Sequence, residues 1–172
     1  MIRQCRAAEI DVICAVINDA AIAYRGVIAA DCWKTPYMSG DELRREMASA
    51  VQVWGCFEGG RLLAVMGLQH VDDVALIRHA YTRTANQGSG LGAALLAHLQ
   101  GQTDGAMLVG TWRAATWAVG FYRGHGFRLV TAPDKDALLR RYWTVPERQI
   151  DESVVLADAR WFVMSSASRD LG

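Results

Sequence analysis

The stretch Gln87-Gly88-Ser89-Gly90-Leu91-Gly92 leads directly into the apolar segment 93–99. Three glycines in five positions would weaken a regular element, so the stretch predicts a loop between a strand and a helix. Without Cβ atoms, such a loop lets a ligand approach the backbone N–H groups at the helix N-terminus. The ligand that suits this arrangement is an anion such as a phosphate or pyrophosphate. The chain is therefore predicted to bind a phosphorylated cofactor.

The pattern on both sides of this loop predicts alternating strands and helices. Gly59-Gly60 between two apolar runs is typical of a hairpin. Ser39 or Asp41 is expected to cap a helix that runs to about residue 50. Strands are predicted at 1–6, 51–58, 61–71, 74–82, 106–111, 127–132 and 154–157. Helices are predicted at 8–23, 41–50, from the glycine loop to about 100, 114–125 and 134–142. This order predicts an α/β domain with a central mixed sheet of about six or seven strands flanked by helices.

Composition limits the classes of function. With 172 residues, of which 52% are hydrophobic, the chain is expected to form a single domain over 1–172. Lys+Arg and Asp+Glu both number 18, which argues against binding to nucleic acid or an anionic membrane. The four cysteines show no CxxC spacing, so no metal is expected. No signal peptide or membrane span is apparent, which predicts a cytoplasmic location.

Two other interpretations of the glycine stretch fit less well. Gly88-x-Gly90-x-x-Ala93 formally satisfies the dinucleotide fingerprint, which needs a carboxylate about 20 residues further on. Residues 109–113 contain no acid, and the loop follows an antiparallel meander rather than the first strand. A merely structural turn is the other alternative, although such a turn rarely needs three glycines.

The stretch 87–92 resembles the Q/R-x-x-G-x-G/A motif of the GNAT superfamily of acyl-CoA-dependent N-acyltransferases. Downstream, residues 118–127 (AVGFYRGHGF) resemble that family's A-x-x-F-Y-x-x-x-G-F segment. The predicted element order agrees with the family's fold over nearly the whole chain. The resemblance implies a GNAT-type fold and transfer of an acetyl group from acetyl-CoA to a primary amine by direct attack, without a metal.

The resemblance also implies which residues bind coenzyme A. The loop amides would bind the pyrophosphate, and the end of the preceding strand would pair with the pantetheine arm, where two central parallel strands separate. The residues carried over for this role are Ala80, Tyr81, Thr82, Gln87, Gly88, Ser89, Gly90, Leu91, Gly92 and Ala93.

Two residues are predicted to carry the chemistry. Tyr122 matches the family tyrosine that protonates the departing thiolate, with packing beside Phe121 as the alternative. Many relatives have a glutamate on the fourth strand, and this strand has none. His79 is the best substitute as base, because imidazole exchanges protons near neutral pH. A structural histidine, whose hydrogen bonds are satisfied within the sheet, fits the sequence equally well. Strand alternation predicts that Arg78 and His79 face opposite sides. An oxyanion donor is expected from a backbone N–H near Tyr81 or Thr82.

The resemblance implies that the segment between the first two helices builds the acceptor pocket. Tyr24, Arg25, Trp33 and Arg78 are the candidate contacts, with the arginines suited to an anionic group on the acceptor. Trp33 and Tyr37 are equally compatible with simply packing the loop against the core. A small-molecule amine is the expected partner, and a homodimer is possible. The alternatives are a protein or peptide N-acetyltransferase, or a non-catalytic module that binds acyl-CoA.

Overall fold

The computed structural model describes residues 1–169, and within them the chain forms one seven-stranded mixed sheet flanked by helices. The strands are β1 Ile2–Gln4, β2 Gln52–Glu58, β3 Arg61–Val71, β4 Val74–Thr82, β5 Ala106–Trp112, β6 Arg128–Leu129 and β7 Ser153–Ala157. The helices are α1 Ile10–Ala21, α2 Gly40–Ala48, α3 Leu91–Gln100, α4 Thr116–Gly124, α5 Ala132–Tyr142, α6 Glu147–Asp151 and α7 Ala159–Arg169. The predicted mixed sheet is confirmed.

The strands lie in the order β1-β2-β3-β4-β5-β7-β6. All neighbours are antiparallel except β4 and β5, which are parallel. Sequence patterns predicted β3 and β4 to the residue, and they predicted the end of α3 at about residue 100. They overestimated β6, predicted at 127–132, and missed α6 and α7. The predicted domain of 1–172 includes three residues outside the described range.

The hairpin between β2 and β3 turns at Gly59-Gly60, where both residues have positive φ, +55° and +79°. Two consecutive positive φ angles give a turn whose twist matches that of the flanking strands, and glycine adopts them without strain. The turn predicted from the sequence is therefore confirmed, and it fixes the register of β2 against β3.

Helices cover both faces of β3 because its side chains alternate. Val65 packs with α1 residues such as Ile13 and Ile17, whereas Met66 packs with α3 residues such as Leu96. All five side chains are almost completely buried. The alternation in β3 therefore divides the core into two layers, with α1 on one side and α3 on the other.

The sheet opens where β4 and β5 end. The two strands pair only from Val74 with Ala106 to Ile77 with Val109, although both continue further. Past Ile77, the edge of β4 that faces β5 has no strand partner among residues 1–169. The separation leaves room for a ligand between the two strands, with backbone N–H and C=O groups lining it.

A β-bulge interrupts β4 at the same place. Val65 pairs with Tyr81 and Gly67 pairs with Arg78, so β4 contains one residue more than β3 in this interval. His79 has φ +52°, which is uncommon for a residue other than glycine. Bulges bend a strand and change the direction of the side chains that follow.

Helix α2 has a side-chain cap that can be tested. The hydroxyl of Ser39 accepts a hydrogen bond from the amide of Glu42 at 3.2 Å. We expect Ser39→Ala to lower the free energy of unfolding by about 1 kcal/mol, because the amide then loses its acceptor. Urea denaturation measures the change. Ser49→Ala, at the other end of α2, is the control and is expected to have a smaller effect; equal effects would contradict the capping role.

Candidate active site

The glycine loop turns between β4 and α3. Gly88 and Gly90 have φ of +76° and +84°, so a side chain at either position would strain the backbone. The loop is held at its start by Asp19 of α1, which accepts from the amide of Thr84 at 2.7 Å. Ser89 donates its hydroxyl to the carbonyl of Asn86. These two hydrogen bonds and the two positive φ angles define the conformation of the loop.

Most of the backbone amides of this loop have no hydrogen-bond acceptor among the described residues. Within residues 1–169, the amides from Gly88 to Ala93 have no protein acceptor, and the first loop-to-helix bond is from Ala94 to the carbonyl of Gly90. No side chain caps α3. Six consecutive free amides at a helix N-terminus form a site with positive electrostatic potential that suits an anion.

A cavity of about 530 Å³ lies against this loop. Nine of the ten residues predicted to bind coenzyme A line it: Ala80, Tyr81, Thr82, Gln87, Gly88, Gly90, Leu91, Gly92 and Ala93. Ser89 is exposed and outside the lining. Among its described lining residues there is no lysine or arginine, so the backbone amides are the main source of positive potential. Sequence reasoning missed further lining residues on α4 and directly after it: Trp117, Ala118, Phe121 and His125.

Tyr122 lies on α4 and lines the same cavity. It is 4% exposed, and its ring makes edge contacts with Phe121 and Phe127 at centroid distances of 5.1 and 5.6 Å. Burial, with a smaller effect of nearby Tyr24, raises the pKa of the Tyr122 phenol well above 10. A phenol in this setting is neutral and can donate a proton.

A second cavity, of about 550 Å³, lies on the other side of Tyr24 and Tyr81, which line both cavities. Its walls come from the loop before α2, from β4 and β5, and from the segment around α6. The predicted substrate residues Tyr24 and Arg78 line it, as does His79. Arg25 is exposed and Trp33 is half-buried, and both lie outside the two linings.

Aromatic rings form the partition between the two cavities. The ring centroids of Tyr24, Tyr37 and Tyr81 lie 5.5 to 6.4 Å apart. The indole N–H of Trp112 donates to the hydroxyl of Tyr37 at 2.8 Å, and Trp33 contacts the Tyr37 ring. Burial raises the pKa of Tyr24 to about 12, so this part of the partition is uncharged at neutral pH.

His79 and Arg78 meet at one carboxylate, that of Glu46 on α2. The Nε2 atom of His79 is hydrogen-bonded to one oxygen of Glu46, and an Nη atom of Arg78 lies 3.4 Å from the other. The prediction that the two side chains face opposite sides is therefore wrong. The bulge at His79 removes the strict alternation on which that prediction rested.

Glu46 was missed from the sequence, where a glutamate was sought only on β4. Leu43, Glu46 and Met47 share one face of α2, and Leu43 is fully buried. The sequence signal that could have identified Glu46 is an acidic residue on the apolar face of an amphipathic helix. Burial alone would raise the pKa of Glu46, but the hydrogen bond to His79 and the charges of His79 and Arg78 outweigh it. The net pKa lies below its ordinary value, so Glu46 is ionised.

Two ion pairs border the second cavity. Arg148 of α6 binds Asp31 with two nitrogens, at 2.8 and 3.3 Å. Lys34 lies 2.6 Å from Glu42 of α2. The Asp31–Arg148 pair joins segments that are 117 residues apart in sequence, so it brings the loop before α2 close to the C-terminal part of the chain.

Two further findings concern the described residues as a whole. No group of three or more His, Cys, Asp or Glu in the described part of the chain could hold a metal ion. None of its helices is both long and apolar enough to cross a membrane.

Comparison with known proteins identifies a family model that matches most of this chain. Residues 17–140 match the model of the acetyltransferase (GNAT) domain. A search of curated proteins found no match. Solved structures that share the fold include the PaiA N-acetyltransferase of Thermoplasma acidophilum in complex with coenzyme A, a GNAT-family acetyltransferase of Staphylococcus aureus Mu50, and the ribosomal-protein-S18-alanine N-acetyltransferase of Escherichia coli.

The first two are each 14% identical to this chain, cover 92% of it and 97% of their own length, and give TM-scores of 0.69 and 0.70. The third is 15% identical, with 92% of each chain covered and a TM-score of 0.66. At these identities the likeness shows the fold.

Proposed function

The chain belongs to the GNAT acetyltransferase family, and we propose from this premise that it acetylates the primary amine of a small molecule by direct attack on acetyl-CoA. One observation carries the proposal: a cavity beside the free loop amides and a cavity beside His79 meet at Tyr24 and Tyr81, where β4 and β5 separate. Two substrates bound in these cavities would approach each other at this point, as direct transfer requires.

The first cavity is proposed to bind coenzyme A. The amides from Gly88 to Ala93 would donate to the pyrophosphate, and the dipole of α3 would add to the attraction. The free edge of β4 from Ala80 to Thr82 would pair with the amides of pantetheine. The thioester would then lie near Tyr81, with its carbonyl oxygen accepting from a backbone amide at Tyr81 or Thr82.

His79 is proposed to accept the proton of the attacking amine. Its contact with the ionised Glu46 would fix the orientation of the ring and stabilise the imidazolium that forms. This arrangement resembles the pairing of base and orienting carboxylate in other acyl-transfer sites. Glu46 would thus be a positioning residue rather than the base itself.

Tyr122 is proposed to protonate the coenzyme A thiolate as it leaves. The residue lines the coenzyme A cavity, and its raised pKa keeps the phenol protonated at neutral pH. A thiolate near such a phenol can take the proton when the C–S bond breaks. This placement supports a catalytic role over binding of acyl-CoA without turnover.

The acceptor is proposed to be a small amine that carries an anionic group. Arg78 uses one nitrogen for Gln69 and another for Glu46, and a guanidinium has five N–H donors in total. The remaining donors would bind a carboxylate or phosphonate of the acceptor. The Asp31–Arg148 pair joins the loop before α2 to the C-terminal part of the chain at the border of the cavity. This connection favours a small molecule over a protein segment as the acceptor.

The proposed function is tested by release of coenzyme A thiol with a panel of amines. The panel would contain small amines with and without a carboxylate, together with a peptide amine. We expect turnover with the small anionic amines, and Arg78→Ala should raise their KM more than that of neutral amines. Turnover only with the peptide would show a protein acetyltransferase. Tight binding of coenzyme A without turnover of any amine would contradict the enzyme assignment.

Glu46→Gln tests the positioning role. The amide keeps the shape but loses the charge that holds His79, so we expect kcat/KM for the amine to fall about 10- to 100-fold, as for a lost hydrogen bond to a charged group. Coenzyme A affinity should be unchanged. Asp41→Asn is the control, because its side chain is 80% exposed on the same helix. Equal activity of Glu46→Gln and wild type would contradict the role.

The same variant should also change the response of stability to pH. The folded-state pKa of Glu46 is lowered, so its contribution to stability is present above the ordinary value of 4.5 and is lost as pH falls through the folded-state value. Wild type should therefore lose more stability than Glu46→Gln on acidification below about pH 5. Thermal unfolding across this range measures the difference.

A cytoplasmic location, the absence of a nucleic-acid or membrane partner, and homodimer formation remain predictions.

A further inference from the structure

One amine of the protein itself lies in the second cavity. Lys34 lines this cavity, and the whole chain contains only two lysines, Lys34 and Lys135. Its Nζ atom is 2.6 Å from a carboxylate oxygen of Glu42, which also lines the cavity. A primary amine of the protein therefore lines the cavity in which the proposed function places the acceptor.

The other amines of the chain are held elsewhere. Lys135 is 6% exposed, and its Nζ atom donates to the carbonyl of Ile150 at 2.7 Å and contacts Asp136. The amino-terminal nitrogen of Met1 donates to the carbonyl of Phe57 on β2, at 2.9 Å. Both residues are outside the two cavities. Lys34 is thus distinguished from both by its position in the cavity lining, and from Lys135 also by its exposure.

Lys34 is free to change its partner. Its side chain is 55% exposed, and its contact with Glu42 is an exposed ion pair, which contributes little to stability. The lysine side chain is a flexible four-carbon stem that carries a compact charge. The charge of Lys34 also lowers the pKa of Glu46, after larger effects of burial, His79 and Arg78. The amine is therefore electrostatically coupled to the carboxylate that contacts His79.

We propose that Lys34 is an internal acceptor, which the enzyme acetylates when no external amine occupies the cavity. The inference rests on the proposed function, because it uses the same cosubstrate and the same cavity. The ammonium of Lys34 first loses a proton to water, which reaches it because its side chain is exposed to solvent. The neutral Nζ then attacks the thioester carbonyl, and its extra proton passes to His79. The C–S bond breaks, and the thiolate takes a proton from Tyr122. The proton on His79 returns through solvent to the Tyr122 phenolate, which restores both residues. The products are Nζ-acetyl-lysine and free coenzyme A.

The test uses the purified full chain incubated with acetyl-CoA and no added amine, followed by mass spectrometry of peptides. We expect acetylation at Lys34, with Met1 and Lys135 in the same digest as internal controls that stay unmodified. Lys34→Arg keeps the charge beside Glu42 and should abolish the modification. A rate constant that is independent of protein concentration would show that each chain modifies itself.

Two competitors separate enzymatic from chemical acetylation. Excess coenzyme A and an external amine that is turned over should both suppress the modification of Lys34. Labelling that neither competitor suppresses, or that is equal at Lys34 and Lys135, would overturn the inference. The amine panel is assayed on the same preparation. Turnover of an external amine without any modification of Lys34 would contradict the internal acceptor alone, whereas loss of both would contradict the proposed function as well.

Discussion

Tyr122→Phe should lower kcat about 100-fold, the lower end of the range for general acid catalysis, and leave the dissociation constant of coenzyme A unchanged. The hydroxyl is the only group removed, and the ring can keep its contacts with Phe121 and Phe127. The thiolate must then take its proton from water. Steady-state kinetics with the best amine of the panel, together with calorimetric titration of coenzyme A, measures both quantities.

The pH profile adds a second readout. Because burial raises the pKa of Tyr122 well above 10, its deprotonation should produce no decline in wild-type activity below pH 10. Tyr142→Phe is the matched control, because it also removes a single tyrosine hydroxyl. This hydroxyl donates a hydrogen bond to Asp73 at 2.7 Å, and both residues lie outside the two cavities. If Tyr122→Phe has the kcat of wild type, Tyr122 is not the group that protonates the thiolate.

Gly92→Asp should weaken coenzyme A binding about 100-fold or more, because a carboxylate would lie beside the free amides and repel the pyrophosphate. A Cβ atom at this position would be 3.5 Å from the Phe121 ring, which is an ordinary contact, and Gly92 does not have a positive φ. An acid in the first turn of a helix is favourable for the helix itself. The fold should therefore be retained, with a melting temperature close to that of wild type.

Ala94→Asp is the control for this prediction. It adds the same charge to the same helix at an exposed position outside the cavity lining. Its effect on coenzyme A affinity should be much smaller and should diminish with added salt. If the two variants bind coenzyme A equally well, the amides of the loop do not hold the pyrophosphate.

Local patterns predicted the parts of the fold that depend on local chemistry. Gly59-Gly60 gives a hairpin because two positive φ angles are needed at adjacent residues, and Ser39 caps α2 because its hydroxyl reaches an amide three residues on. Helix α7 was missed because its sequence has little helical periodicity. It packs through Trp161 against buried residues of distant strands, which a local pattern does not reveal.

The coenzyme A cavity was far more predictable than the acceptor cavity. Ten of the fourteen residues from 80 to 93 line the first cavity, so a short segment of the sequence identifies most of that side. The second cavity is assembled from segments that meet only in three dimensions, such as Asp31 with Arg148 and Glu46 with His79. Arg25 and Trp33 were chosen from the right loop, but neighbours such as Lys34 and Tyr37 line the cavity instead.

The bulge in β4 means that the site depends on the number of residues in a strand as well as on their identity. Deleting one residue between Arg78 and Tyr81 would restore simple alternation and would leave the four residue pairs between β4 and β5 intact. The sheet would persist, but the imidazole and the guanidinium would no longer meet at one carboxylate. A relative with the same side chains and an unbulged fourth strand would therefore require a different partner for its base.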